Sequence, residues 1–343
     1  MFGKKKQPGA APRSDTPEQK EQRPDAAARD AEERQAARHP GADRVHAEGL
    51  GDVWVAITGR NPAAIMPQVV GTVLHDGGTR PAWQWKRNGR EHVLMAWPKD
   101  QPVRAAVLMA GDEGGKLTPV TAVPLLEGLP NDLLVESVHP RAEGLGADVA
   151  VTMLEGENPM WFFDPLYGRD QDDLTPGITH TFWLAGLALG IRKALLDEIT
   201  IAQGPQFEAH AAAWLEQNPG ASRLDVPPLK IPMAGKRCIM PGRRFGEYQM
   251  RAVVERVEDF KLENMDVRAL YLSFPFAERE PLRLALYASK FVLGDFVPEE
   301  GDEVEAYVWL EGRIIDLDGA PAADAGDAGV APGGRAPGTD PIQ

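Results

Sequence analysis

Residues 297–316 read VPEEGDEVEAYVWLEGRIID, and the interpretation of this stretch decides the fold. Val304, Ala306, Val308 and Leu310 alternate with Glu303, Glu305, Tyr307 and Trp309, a period of two that marks a strand with one buried face. Pro298, Gly301 and Asp302 precede it as a turn, in which the Asp side chain is placed to accept from local amides. Gly312 is expected to break the run, with a short apolar strand resuming over 313–315. Upstream, 247–257, 267–274 and 282–288 read as further strands. The first alternates through Tyr248, Met250, Ala252 and Val254, and its length implies coiling rather than a flat ribbon.

A long coiled first strand, four shorter ones and the Pro-x-x-Gly-Asp-x-Val spacing (Pro298, Gly301, Asp302, Val304) make residues 236–318 resemble an OB-fold, in fold pattern and not through a family motif. The resemblance implies a small closed barrel whose surface does the work. It does not name a ligand, because barrels of this kind host many functions.

Working outward, residues 51–235 are expected to form an α+β domain with an antiparallel sheet and two helices. Short β-branched or aromatic runs at 53–57, 69–74, 82–85, 92–97, 103–109, 133–138, 148–154 and 160–163 read as strands. Asn88-Gly89 supplies the two positive φ angles of a tight hairpin. Residues 182–198, FWLAGLALGIRKALLDE, are apolar on nearly every side as far as Arg192, which suits a buried helix, with a buried strand as the alternative. A second helix begins at Pro205, gathers Phe207, Ala211, Trp214 and Leu215 on one face, and ends at Asn218. The fold class is therefore α+β and predominantly antiparallel β: an N-terminal multi-stranded block, central helices and a C-terminal OB-like barrel. Residues 1–50 and 319–343 are polar, poor in aromatics and expected to be disordered tails; Asp25 with Arg29 and Asp30 with Arg34 have helical spacing on a solvated segment.

The net charge is -14, and the first 50 residues carry ten Lys/Arg against nine Asp/Glu, so the acidity lies in the ordered centre. Such a surface repels phosphate backbones except at a local basic stripe. One cysteine, Cys238, excludes an internal disulfide framework and fits a reducing compartment. The basic start MFGKKK has no apolar core behind it, and no run reaches the length needed to cross a bilayer, so a cytoplasmic protein without a membrane partner is expected.

The chain has no Gly-x-x-x-x-Gly-Lys-Ser/Thr loop, no Gly-x-Ser-x-Gly elbow, no His-Glu-x-x-His helix and no Cys pair. Two constellations carry chemistry. In residues 157–180, Trp161, Phe162, Phe163 and Tyr167 surround Asp164, and Asp170, Asp172 and Asp173 lead to His180. Oxygen ligands at alternating positions suggest a divalent cation, and Asp164 with His180 an acid–base pair. A core strand followed by a solvated acidic turn explains the same residues more simply, so neither a metal nor a cofactor is expected. In residues 236–251, Lys236, Arg237, Arg243, Arg244 and Arg251 interleave with Phe245 and Tyr248, the combination a single-strand nucleic-acid groove needs. Against it, residues 236–318 contain twelve basic and seventeen acidic residues. The other histidines are scattered without ligand spacing, and Cys238 reads as a small buried hydrophobe. The expectation is a non-catalytic binding or assembly protein with a protein partner, contacted through the barrel and residues 236–251. Single-stranded nucleic-acid binding and an enzyme built on Asp164 and His180 are the alternatives.

Overall fold

The computed structural model describes residues 46, 49–76, 81–112, 114–141, 146–153, 159–262, 265–275 and 280–315, all within one compact unit. The charge-spaced segment 25–34 and the tail 319–343 lie outside the described residues.

The protein is mostly β, with five α-helices among the described residues and antiparallel strand pairings except for two. Two helices come first: α1 (Gly51–Thr58) and α2 (Pro62–Asp76). Strands were expected at 53–57 and 69–74, and both runs are helical. Residues 53, 54, 56 and 57 bury the inner face of α1, and Gly59, at φ 66, caps it by donating to Val55 O. In α2 the Asn61 side chain accepts from Ala63 N (2.9 Å), Pro62 occupies the first turn, and Ile65, Val69 and Val73 repeat every four residues along the buried face. Packing of that face outweighs the few tenths of a kcal/mol by which β-branched residues disfavour a helix, roughly 0.5 each.

Strands β1 (Trp83–Arg87), β2 (Arg90–Trp97), β3 (Val103–Gly111) and β4 (Leu117–Leu126) form an antiparallel sheet in sequence order. Asn88 (φ 49) and Gly89 (φ 77) make the expected tight turn between the first two.

The second sheet has ten strands. In chain order they are β5 (Leu129–Pro140), β6 (Ala147–Thr152), β7 (Met160–Asp164), β8 (Thr179–Lys193), β11 (Cys238–Pro241), β12 (Glu247–Val253), β13 (Arg256–Leu262), β14 (Met265–Phe274), β15 (Leu282–Ser289) and β16 (Glu303–Ile314). They lie in the order β11-β12-β16-β7-β6-β5-β8-β15-β14-β13. An additional β16–β8 ladder makes the pairings of β16, β7, β6, β5 and β8 return to their start, although the β16–β7 link is the single pair Glu311↔Phe163. Short helices α3 (Tyr167–Asp170) and α5 (Lys290–Leu293) follow β7 and β15. Between β8 and β11 the chain inserts a hairpin, β9 (Glu198–Ile201) with β10 (Leu229–Pro232), and helix α4 (Pro205–Gln217), which has Pro205 at its start and Ala211 buried, as expected. No helix among the described residues is long and apolar enough to cross a membrane.

Strand β8 corrects the expected helix at 182–198. Phe182, Leu184 and Ala188 enter one core while Ala185 and Leu187 enter the other, so the run is apolar throughout because both faces of the strand are covered. Two further boundaries differ. The expected single strand 247–257 is split: Val254 leaves the sheet to bond residues 301 and 302, and the chain resumes as β13 at the far edge. Gly312 does not interrupt β16; a Cβ there would lie 2.8 Å from the Phe162 ring, so glycine lets two strands approach closely. The turn at 298–302 behaves as read, with Asp302 Oδ2 accepting from Glu299 N at 2.9 Å. Because β16 pairs with β7, β8 and β12, and β15 with β8, residues 129–193 and 238–314 share one sheet.

One apolar core lies between α1, α2, the four-stranded sheet and one face of the long sheet. The other lies on the opposite face of the long sheet, around Phe162, Phe182, Leu184, Leu272, Leu284 and Leu310.

Candidate binding site

Register assembles the site. His139 on β5 is opposite Asp148 on β6, which is opposite Phe163 on β7, and Trp161 stands one side-chain step further along the same face. Phe245 arrives from the turn before β12, whose Tyr248 hydroxyl accepts from Trp161 N at 2.6 Å and fixes the two elements together. Into the slot between them goes the imidazole of His46. Its ring stacks on His139 with centroids 3.6 Å apart at 12°, stacks on Phe245 at 4.4 Å and 26°, and meets Trp161 edge-on at 5.5 Å and 76°. Two rings so close and so nearly parallel to a third must cover its opposite faces.

At the base is Asp148, whose side chain is 0% exposed. Arg141 Nη2 donates to Oδ1 at 2.7 Å, and His46 Nδ1 donates to Oδ2 at 2.7 Å. The Arg141 guanidinium also lies 4.4 Å from the Phe163 ring centroid. Every oxygen of this buried carboxylate is thus partnered, the condition under which a buried charge is tolerated. The chemistry on offer is recognition of a flat ring with a single N–H donor. Beside the slot is a cavity of about 550 Å³ that shares Arg141 and Phe163 with it and is lined by Leu50, Trp54, Met66 and Val123.

Comparison with models of known families, with curated proteins and with solved structures gives no match. The site must therefore be read from its own chemistry.

The basic cluster is distributed. Phe245 is in the slot and Tyr248 is buried beneath it. Arg237 pairs with Glu255 (2.7 Å) and Ser273, Arg244 with Asp52 (2.6 Å), and Arg251, 4% exposed, with Glu303 (2.7 Å) and Glu305 (3.2 Å). Lys236 and Arg243 are exposed and have no ion-pair partner among the described residues.

The acidic–aromatic cluster is divided as well. Trp161 lines the slot, whereas Phe162 lies in the second of the two cores. Asp164 is fully buried; Oδ1 accepts from Leu166 N at 2.8 Å and Oδ2 has no hydrogen-bond partner among the described residues. Burial, reinforced by the charge of Asp170, holds its carboxyl well above the usual range. Asp170 pairs with Arg169 and Asp172 with Arg87, while the His180 ring lies 6.1 Å from Phe182 with Nε2 buried and without a hydrogen-bond partner among the described residues. The charged groups acting on Asp164 include Asp170, Arg169, Glu311 and Arg313. Among the described residues no group of three His, Cys, Asp or Glu is arranged to hold a metal ion.

A second polar cluster lies where the two sheets meet. Glu311 Oε1 accepts from Leu126 N at 2.8 Å, Arg313 donates to Leu126 O at 2.5 Å, and the guanidinium carbons of Arg104, Arg169 and Arg313 each stand 6.0 Å from the Trp83 centroid. Burial pushes Glu311 up to about 8, and its Oε2 has no hydrogen-bond partner among the described residues.

His46, His139 and Asp148 carried no signal as site residues, since 93 residues separate the two histidines and only strand register brings His139 beside Asp148. Trp161 and Phe245 were visible as exposed-type aromatics beside charge, but in two unrelated clusters.

Proposed function

We propose that this protein is a non-catalytic binding or assembly protein that acts through a C-terminal OB-like barrel over residues 236–318, with its working surface running from residues 236–251 to the slot. The observation that carries this reading is the slot: three aromatic rings and a buried carboxylate, partnered at both oxygens, around an imidazole. Stacking surfaces around one fixed polar group are what recognition requires. The partner is a protein, and Lys236 and Arg243 give it an electropositive rim.

Single-stranded nucleic acid has less support, because Arg237, Arg244 and Arg251 already neutralise Glu255, Asp52 and Glu303. An enzyme built on Asp164 and His180 has less again, because among the described residues no hydrogen bond joins the two.

A photo-crosslinking residue placed at Lys236 or Arg243 tests the reading. Adducts of one defined mass that vanish on Phe245→Ala, and that do not form from a crosslinker at the distant exposed Leu224, are expected. Adducts indifferent to position, or none from the rim positions, overturn it.

A further inference from the structure

The slot already holds a ligand, and that ligand is part of the chain. We infer that the slot is a recognition site for the imidazole ring of histidine, filled in cis by His46 and open in trans to a histidine of a protein partner that displaces it. The inference rests on the binding reading above and gives it a chemical class.

Shape selects a flat ring. The near-parallel faces of His139 and Phe245 leave room for one thin ring between them, and the Trp161 edge closes the side. A lysine ammonium would leave both faces unfilled. Hydrogen bonding selects imidazole over guanidinium: Arg141 already occupies Asp148 Oδ1, so one acceptor oxygen remains, and it matches a single N–H rather than a fork of two.

Two observations make the site available in trans. The His46 side chain is 28% exposed, so the occupied slot opens to solvent and exchange needs no opening of the core. The cavity of about 550 Å³ that shares Arg141 and Phe163 with the slot is lined on one side by Gly49, Leu50 and Gly51, the residues just after His46. His46 in the slot and Gly49, Leu50 and Gly51 at the cavity therefore belong to one stretch of sequence. A partner segment replacing it would place its histidine between the rings and a neighbouring apolar side chain in the cavity, against Trp54, Met66 and Val123.

The test uses the full chain carrying His46→Ala, free imidazole, and the dipeptide N-acetyl-His-Leu-amide beside its Ala-Leu counterpart, with binding followed by tryptophan fluorescence and NMR shifts. The variant is expected to bind imidazole saturably and at least about tenfold more tightly than wild type, in which His46 competes. The His-Leu dipeptide should bind the variant more tightly than imidazole, and the Ala-Leu dipeptide should not bind. Asp148→Asn in the same background should weaken imidazole at least about tenfold through loss of a charge-assisted bond. Because Asp148 is buried, His139→Ala at an exposed position provides a second variant that leaves the core intact; it should weaken imidazole about fivefold through loss of one stacking face. Equal imidazole affinity in wild type and His46→Ala, no effect of His139→Ala, or failure of the His-Leu dipeptide overturns the inference. If the dipeptide fails while rim crosslinks persist, histidine recognition falls and the binding reading stands; if the dipeptide binds and the crosslinks are absent, the reverse holds.

Discussion

Two buried carboxylates, Asp148 in the slot and Glu311 at the junction of the two sheets, are equally hidden from water and differently provided for. Asp148 has a cation on one oxygen and an imidazole on the other. Glu311 has one backbone amide, an arginine at 4.0 Å, and an oxygen with no hydrogen-bond partner among the described residues. The first is held at both oxygens and acts as a fixed acceptor. The second is stable as a neutral acid because burial outweighs the Leu126 amide and the nearby Arg313 and Arg104. Burial alone does not make a carboxylate a binding group; the number of donors that meet it does.

The largest expected effect breaks the provision made for Asp148. Arg141→Ala leaves a buried charge with only the His46 contact, and a loss of about 3 kcal/mol in urea unfolding at pH 7 is expected. A loss under 1 kcal/mol would mean that the two carboxylates are less different than their contacts indicate.

Glu311 supplies the next test, through pH. Its pKa rises on folding, so the folded chain keeps a proton that the unfolded chain releases above the usual carboxylate range. Its stabilisation is complete below the unfolded value of about 4.5 and is lost as pH rises through about 8. Stability should fall between pH 5 and pH 9 by on the order of 3 kcal/mol, with Asp164, raised in the same direction, adding to the slope. Glu311→Gln should flatten the curve and be more stable than wild type at pH 9. Denaturant midpoints across that range decide it, and an unchanged slope would refute the assignment.

His46→Ala is expected to lower stability by about 1 kcal/mol, the worth of one hydrogen bond and its ring contacts once solvent replaces them. The smallest effect belongs to Arg243→Glu, an exposed cation without an ion-pair partner among the described residues, expected within about 0.5 kcal/mol of wild type by thermal unfolding.

What the sequence disclosed follows the range of the forces involved. The Asn88-Gly89 turn, the start of α4 at Pro205 and the acid turn before β16 were legible because each is decided within a few residues. The short apolar runs were not. Residues 53–57 and 69–74 suit a strand by composition and form helices, and 182–191 suits a helix and forms β8, because what covers each face is set by segments far along the chain. For α2 a local signal did exist: Asn61-Pro62 as cap and first turn, followed by Ile65, Val69 and Val73 at fourfold spacing. The site was half legible. Trp161 and Phe245 stood out as aromatics beside charge, whereas His46, His139 and Asp148 become neighbours only when β5, β6 and β7 pair.

Strand β16 touches three others, β7, β8 and β12, and it is the last described strand to leave a ribosome. Until residues 303–314 emerge from the exit tunnel, β8 lacks one long neighbour and the apolar side chains of Phe162, Leu184 and Leu284 lack their lid. Nascent chains halted before Glu303 should therefore be protease-sensitive and chaperone-bound, however much of the polypeptide has already been made.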